Sequence, residues 1–276
     1  MTYARIKMLH ARKVNETVIF RRGPSKWVQL LKWNTDKDEI TPGQWLNGRI
    51  YADRADLSPY GNYLIYFAAK FKDAKKQYAW TAISKPPYLT AIALWKKDDT
   101  FNGGGLFESS KKVYLSHTKS ESKLEEGFNI DRLQVRIKEK RFPFDDIEGE
   151  RMKRDGWIWS TQKDMNLNSA DVQYSKSLNE KTNVVYVGKN KSKYEYSENR
   201  YNWKTFIQSP IGIIDVSDYE NIDANLGGRI LMSKNGCIYA CDTYEDFMSP
   251  ERIRLIVNLN GNKPYKMETP NEMKIW

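Results

Sequence analysis

Two short stretches combine basic and aromatic residues in a pattern that suits binding. The first is FRRGPSKW (20–27), a hairpin tip, and the second is SKPPYLT (84–90), a turn stiffened by proline. The candidate binding residues in them are Arg21, Arg22, Lys26, Trp27, Lys85 and Tyr88. Guanidinium groups bind phosphate, and aromatic faces stack on nucleic-acid bases. The same residue types also form hot spots at protein–protein interfaces. The alternative is a solvated turn with a buried tryptophan.

Carboxylates are the second group whose spacing is relevant to chemistry. Asp53 and Asp56 lie close in sequence, and adjacent aspartates occur at 98–99 and 145–146. Glycoside hydrolysis requires two carboxylates about 5–10 Å apart across one bond, whereas adjacent aspartates in a loop usually point apart into solvent. No phosphate-binding loop, dinucleotide fingerprint or nucleophile elbow occurs in the sequence. We therefore assign no catalytic residue, expect no cofactor, and rank a glycoside-type hydrolase third.

Sulfur and imidazole ligands for a metal are scarce. Cys237 and Cys241 are four residues apart in the strand-like GCIYACD (236–242), which places both on one face of a strand. Small apolar side chains pack well there, so we interpret both cysteines as core residues. The only histidines are His10 and His117. The sequence therefore predicts no zinc site.

The charge of the chain is positive and unevenly distributed. The net charge is +10, and residues 1–100 contain 18 Lys and Arg against 9 Asp and Glu. Residues 201–276 contain 8 against 10. An asymmetry of this kind marks a face that meets nucleic acid or an acidic partner, or it serves solubility alone.

The elements that position these residues are mostly short strands. Apolar and polar residues alternate in stretches such as 27–33, 62–71 and 78–84, and Gly- or Pro-containing turns separate them. The stretch WNTDKDEITPGQW (33–45) reads as a polar turn that leaves the second strand. No amphipathic helix of ordinary length stands out, and the charged stretch near 120–150 predicts an irregular excursion. We therefore expect an all-β fold.

One turn motif recurs before apolar strands. Ser58 and Pro59 open the turn DLSPYG, and Gly61 closes it with φ > 0 before the strand at 62–71. Gly156 and Gly236 occupy similar positions: Gly156 lies 95 residues after Gly61, and Gly236 lies 80 residues after Gly156. Each interval is close to two propeller blades of roughly 40–50 residues. The spacing favours a propeller over a sandwich or an irregular β fold.

The stretch ADLSPYGNYLIYFA (55–68) resembles the repeat of TolB-like and WD40-like bacterial β-propellers. Their consensus places a Ser-Pro-Asp-Gly turn before an apolar strand, and Tyr60 replaces the aspartate here. The copies at Gly156 and Gly236 keep the Asn/Asp-Gly pair and the following strand. The resemblance implies one small propeller-like domain over 1–276, with five blades favoured and six also compatible with the length. Propellers host many activities, so the resemblance does not specify one.

These observations favour a non-catalytic scaffold or adaptor that binds a protein partner through propeller loops. The alternative is an accessory protein that binds nucleic acid through its basic first third. No apolar run reaches the roughly 20 residues of a membrane helix, and MTYARIKMLHARKV (1–14) lacks the apolar core of a secretory signal. We therefore expect no membrane partner and a cytoplasmic location.

Overall fold

The computed structural model of the chain describes residues 2–23, 26–73, 76–130, 132–137, 147–162, 171–190 and 201–276. Strands make up 51% of the chain, and the described residues contain one α-helix, which confirms the all-β prediction. In these residues the strands form five sheets, A to E, that follow one another in chain order. No helix in the described part of the chain is long and apolar enough to cross a membrane.

The chain divides into two compact units. Unit 1 comprises residues 1–151 and 259–276, and unit 2 comprises residues 152–258. Sheets A to C belong to unit 1, and sheets D and E belong to unit 2. The single domain over 1–276 stays a prediction.

Sheets A and B of unit 1 are four-stranded antiparallel meanders. Sheet A consists of β1 (Arg5–His10), β2 (Glu16–Arg22), β3 (Trp27–Asn34) and β4 (Glu39–Asn47). Sheet B consists of β5 (Arg49–Leu57), β6 (Leu64–Asp73), β7 (Lys76–Ser84) and β8 (Ala91–Lys97). The predicted polar turn that leaves β3 is present at 35–38, but the rest of the stretch, 39–45, belongs to β4. Pro42 is compatible with β4 because this strand lies at the edge of its sheet.

Sheet C is smaller, and only its last strand lies in the predicted irregular excursion near 120–150. It consists of β9 (Gly105–Phe107), β10 (Lys112–Leu115) and β11 (Gln134–Ile137). Strand β10 is antiparallel to β9 and parallel to β11. Between β10 and β11 the described chain is irregular apart from a 3-10 turn at Lys119–Glu121, and helix α1 follows at Ile147–Arg154.

Strand β6 is the centre of the core of unit 1. Its residues alternate between two faces, as in any strand. Leu64 and Tyr66 pack with sheet A residues such as Leu30, while Ile65 packs with sheet C residues such as Phe107. The near-continuous apolar sequence of β6 is therefore explained by burial on both faces.

Unit 2 contains the two remaining sheets. Sheet D consists of β12 (Ile158–Gln162), β13 (Asp171–Ser177), β14 (Asn183–Asn190), β15 (Tyr201–Ser209) and β16 (Gly212–Asp215). Sheet E consists of β17 (Glu220–Ala224), β18 (Ile230–Lys234), β19 (Cys237–Cys241) and β20 (Arg254–Asn258). Val184 and Ile207 of sheet D pack on Ile230 and Met232 of sheet E. Further 3-10 turns occur at Tyr244–Met248, Pro250–Arg252 and, in unit 1, Asn271–Met273.

Both cysteines lie on β19, both are buried, and neither forms a disulfide. Their interpretation as core residues is confirmed. Burial raises the pKa of the Cys241 thiol to about 12, with a further contribution from Asp246. This cysteine is therefore protonated at neutral pH and is a poor nucleophile.

Candidate functional site

Arg21 lies inside the protein rather than on the hairpin tip. It is 3% exposed, and its Nε and Nη2 donate to the carbonyl oxygens of Leu259 and Asn260 at 3.1 and 3.2 Å. Its guanidinium lies 5.4 Å from the ring centroid of Trp45. Burial lowers the pKa of Arg21. The predicted place of Arg21 on the hairpin tip is wrong, because β2 continues to Arg22 and directs Arg21 at the C-terminal segment.

The other two cations of the hairpin belong to a basic group at one end of sheets A and B. The group, which we call the cationic edge, consists of Arg5, Arg22, Lys26 and Arg49. Arg5 of β1 lies opposite Arg22 of β2 in the register of the two strands. The amide of Gly48 donates to the Lys26 carbonyl at 2.9 Å, which places the start of β5 beside the hairpin.

An aromatic ring anchors the cationic edge. The guanidinium of Arg49 lies 4.4 Å from the ring centroid of Tyr51, and that of Arg54 lies 4.8 Å from it. Arg54 Nη1 donates to the carbonyl oxygens of Thr100 and Asn102 at 2.7 and 2.6 Å. These contacts hold Arg54 in place and fix the ring on which Arg49 rests.

A cleft of about 500 Å³ lies at the outer edge of sheet A. Three parts of unit 1 form its walls: the strands β3 and β4, the β7–β8 loop and the C-terminal segment. The main lining residues are Trp27, Trp45, Leu46, Leu89, Thr90, Tyr265 and Met267. Tyr265 is 46% exposed at its mouth. The cleft is mostly apolar, with a few polar groups, as binding sites usually are.

Gln44 joins the walls of the cleft. Its Oε1 accepts the amides of Leu89 and Thr90 at 2.7 and 3.1 Å. Its Nε2 donates to the Met267 carbonyl at 3.1 Å and to Thr269 Oγ1 at 2.6 Å. One side chain thus cross-links β4, the β7–β8 loop and the C-terminal segment, so the cleft is preformed.

The second basic-aromatic stretch contributes to the cleft through its last residues. Pro86 and Pro87 are joined by a cis peptide, and the Tyr88 amide donates to the Lys85 carbonyl at 2.9 Å. Lys85 Nζ donates to the Glu272 carbonyl at 3.1 Å. Lys85 and Tyr88 do not line the cleft, whereas Leu89 and Thr90, directly after them, do. Of the predicted binding residues, Trp27 alone lines it.

The predicted turn at Gly61 is confirmed. Gly61 has φ +72°, and its amide donates to the Ser58 carbonyl at 2.9 Å. Ser58 Oγ accepts the Tyr63 amide at 3.0 Å, and the Pro59 carbonyl accepts the Lys13 amide at 2.9 Å. The turn therefore fixes the start of β6 and also contacts the β1–β2 connection.

The other two turn glycines also have positive φ, but they serve different connections. Gly236 has φ +75° and follows Asn235 at φ +52°, in the two-residue hairpin between β18 and β19. Gly156 has φ +90°, and its amide donates to the Lys153 carbonyl at the end of α1. It therefore terminates a helix rather than a hairpin.

Lys97, His117 and Glu121 form a hydrogen-bonded polar group in the interior of unit 1. Lys97 Nζ lies 2.7 Å from Glu121 Oε1, and His117 bridges Thr81 Oγ1 at 2.8 Å and the Glu121 carbonyl at 2.9 Å. Burial lowers the pKa of His117 to about 4. Partial burial opposes ionisation of Glu121, but hydrogen bonds from Lys97 and Thr118 outweigh it and lower its pKa to about 2. This group is structural.

Two of the carboxylates considered from sequence have separate partners in the structure. Asp56 Oδ2 accepts the Phe107 amide at 2.7 Å, and Asp53 pairs with Lys7 at 3.1 Å. Asp145 and Asp146 lie outside the described residues. Within the part of the chain that the structure describes, no group of three His, Cys, Asp or Glu side chains is placed to hold a metal ion.

No protein-family model and no curated protein matches the chain. The resemblance to TolB-like and WD40-like repeats therefore stays a prediction. The cleft and the cationic edge are the two features of the structure that bear on function.

Sequence reasoning missed Gln44, Trp45 and Tyr265. The first two lie in TPGQW, where Pro and Gly interrupt the apolar–polar alternation by which a strand such as β4 is predicted. Gly43 permits a close approach, because a Cβ there would lie 2.1 Å from the Pro87 carbonyl oxygen. Tyr265 lies more than 200 residues from Trp27, and no local pattern connects them.

Proposed function

We propose that the protein is a non-catalytic scaffold or adaptor that binds a segment of a protein partner in the cleft at the edge of sheet A. The observation that carries this proposal is the preformed cleft itself. Both stretches singled out from sequence contribute to its walls, through Trp27 and through Leu89 and Thr90.

The lining chemistry supports a peptide ligand. Trp27, Trp45 and Tyr265 are the residue types enriched at protein hot spots. The walls are cross-linked by Gln44, so binding requires little ordering of the protein. Lys266 adds one basic side chain to the lining, which suits a peptide with an acidic group.

The architecture we propose is β-propeller-like with five blades. Two features support it: the described sheets follow one another in chain order, and β6 is buried on both faces. Sheet C, with three strands and one parallel pair, and sheet D, with five strands, depart from a regular four-stranded blade. We also propose a cytoplasmic location.

Selection from a random peptide library on the immobilised full-length protein tests the proposal. We expect selected peptides to bind in isothermal titration calorimetry. Tyr265→Ala should weaken them about tenfold or more, because removing a hot-spot aromatic costs about 2 kcal/mol. Trp27→Ala should have the same effect.

Tyr60→Ala is the matched control. Tyr60 belongs to unit 1, is 53% exposed against 46% for Tyr265, and does not line the cleft. It should leave peptide affinity within about twofold, as expected for a surface residue outside the interface. Peptides that lose equal affinity in both tyrosine variants, or a library that yields no binder, would contradict the proposal.

A further inference from the structure

The cationic edge brings together like charges from neighbouring strands and one hairpin. In the described part of the chain, none of Arg5, Arg22, Lys26 and Arg49 forms an ion pair, while other cations such as Lys7 and Lys32 do. Arg5, Lys26 and Arg49 are exposed, and Arg22 is half-buried. An unneutralised group of this kind attracts anions.

Three members of the edge, Arg5, Arg22 and Arg49, are close enough to repel one another. The pKa of Arg22 is lowered, first by burial and then by the positive charges of Arg49 and Arg5. Bringing an anion to this position removes the repulsion and adds attraction. A guanidinium also presents two parallel donors, which match two oxygens of one phosphate.

We propose that the cationic edge binds the phosphate backbone of a nucleic acid without reading its sequence. The four cations come from three different strands and one hairpin, so they present several separate contacts and suit a polymer with evenly spaced charges. This site is separate from the peptide cleft, since none of the four residues lines that cleft.

The aromatic chemistry of the edge favours a phosphate backbone over an acidic peptide or stacked bases. A peptide hot spot needs an apolar anchor, and base stacking needs an open ring face. The ring of Tyr51 is already engaged by Arg49 and Arg54 at 4.4 and 4.8 Å. The cationic edge therefore interacts with a ligand through its positive charges and through the paired N–H donors of its guanidinium groups.

Fluorescence anisotropy with labelled 20-mers of duplex DNA, single-stranded DNA and RNA tests the proposal at several salt concentrations. Four phosphate contacts predict that duplex affinity falls about 100-fold between 50 and 200 mM salt. In the Arg22→Glu/Arg49→Glu variant, we expect affinity at 50 mM to fall at least tenfold and the same salt change to cost only about tenfold.

The variant Lys13→Glu/Lys37→Glu is the matched control. Both lysines are exposed, they lie in the turns at the opposite end of sheet A, and the change in net charge is the same. We expect its affinity to stay within about threefold of the unmodified protein. If Arg22→Glu/Arg49→Glu does not fold by circular dichroism, Arg22→Gln/Arg49→Gln replaces it and should lower affinity and salt slope in the same direction.

Three results would overturn the proposal. The first is no binding of the unmodified protein to any of the three nucleic acids at 20 mM salt. The second is an equal loss in the edge variant and the lysine variant, which would show a response to net charge alone. The third is a poly-glutamate of equal charge that binds as tightly as the nucleic acids, which would assign the edge to an acidic protein.

Discussion

Gly61 offers the sharpest test of how the turn before β6 is built. Its φ of +72° lies in the left-handed region, where residues with a Cβ are disfavoured. A Cβ added there would also lie 3.1 Å from Cβ of Glu16 and 3.7 Å from Cβ of Ala11. We therefore expect Gly61→Val to destabilise the protein through both the backbone and this contact.

The expected loss is about 1–3 kcal/mol, the range for a side chain forced into a sparsely populated backbone region. Valine lies at the upper end of that range because its branched Cβ is stiff. For a chain of this size the loss corresponds to a melting temperature lower by roughly 2–10 °C. Gly61→Asn should lose less, since asparagine tolerates the left-handed region.

Thermal unfolding followed by intrinsic tryptophan fluorescence measures the effect. Gly127→Val is the matched control, because Gly127 has φ +83° but a Cβ there would meet nothing within 4 Å. The difference between the two valine variants isolates the contact with Glu16. A melting temperature unchanged by Gly61→Val, or one lowered more by Gly127→Val, would refute the reasoning.

Two further predictions concern buried polar residues. Arg21→Lys should lower the free energy of unfolding, measured by urea titration, by about 1.5–3 kcal/mol, because one ammonium cannot replace both hydrogen bonds to Leu259 and Asn260. The adjacent variant Arg22→Lys is the control and should change this free energy by less than about 0.5 kcal/mol. The pKa of His117 is lowered from 6.5 to about 4, so the unfolded chain binds a proton in that window that the folded chain does not. The free energy of unfolding should therefore fall by about 3 kcal/mol as pH drops from 6.5 to 4. Urea titrations at several pH values measure this dependence, and His117→Asn should remove the part of it that His117 causes. The same pH dependence in His117→Asn and in the unmodified protein would contradict a buried neutral His117.

The sequence by itself determined the local features. Alternating apolar residues predicted strands at 27–33, 62–71 and 78–84, and turn chemistry predicted the positive φ of Gly61. These predictions succeed because strand period and turn geometry depend on neighbours within a few residues. The same local reasoning failed for β4, where Pro42 and Gly43 occur in an edge strand that only its partners explain.

The tertiary structure alone decided which basic residues are available to a ligand. Arg21 and Arg22 are adjacent and chemically identical, yet Arg21 is buried against Leu259 and Asn260 while Arg22 joins Arg49 at the cationic edge. Successive residues of a strand face opposite sides of the sheet, so the segment that covers one side determines their roles. That segment is more than 230 residues away in the chain, and no local pattern contains the contact.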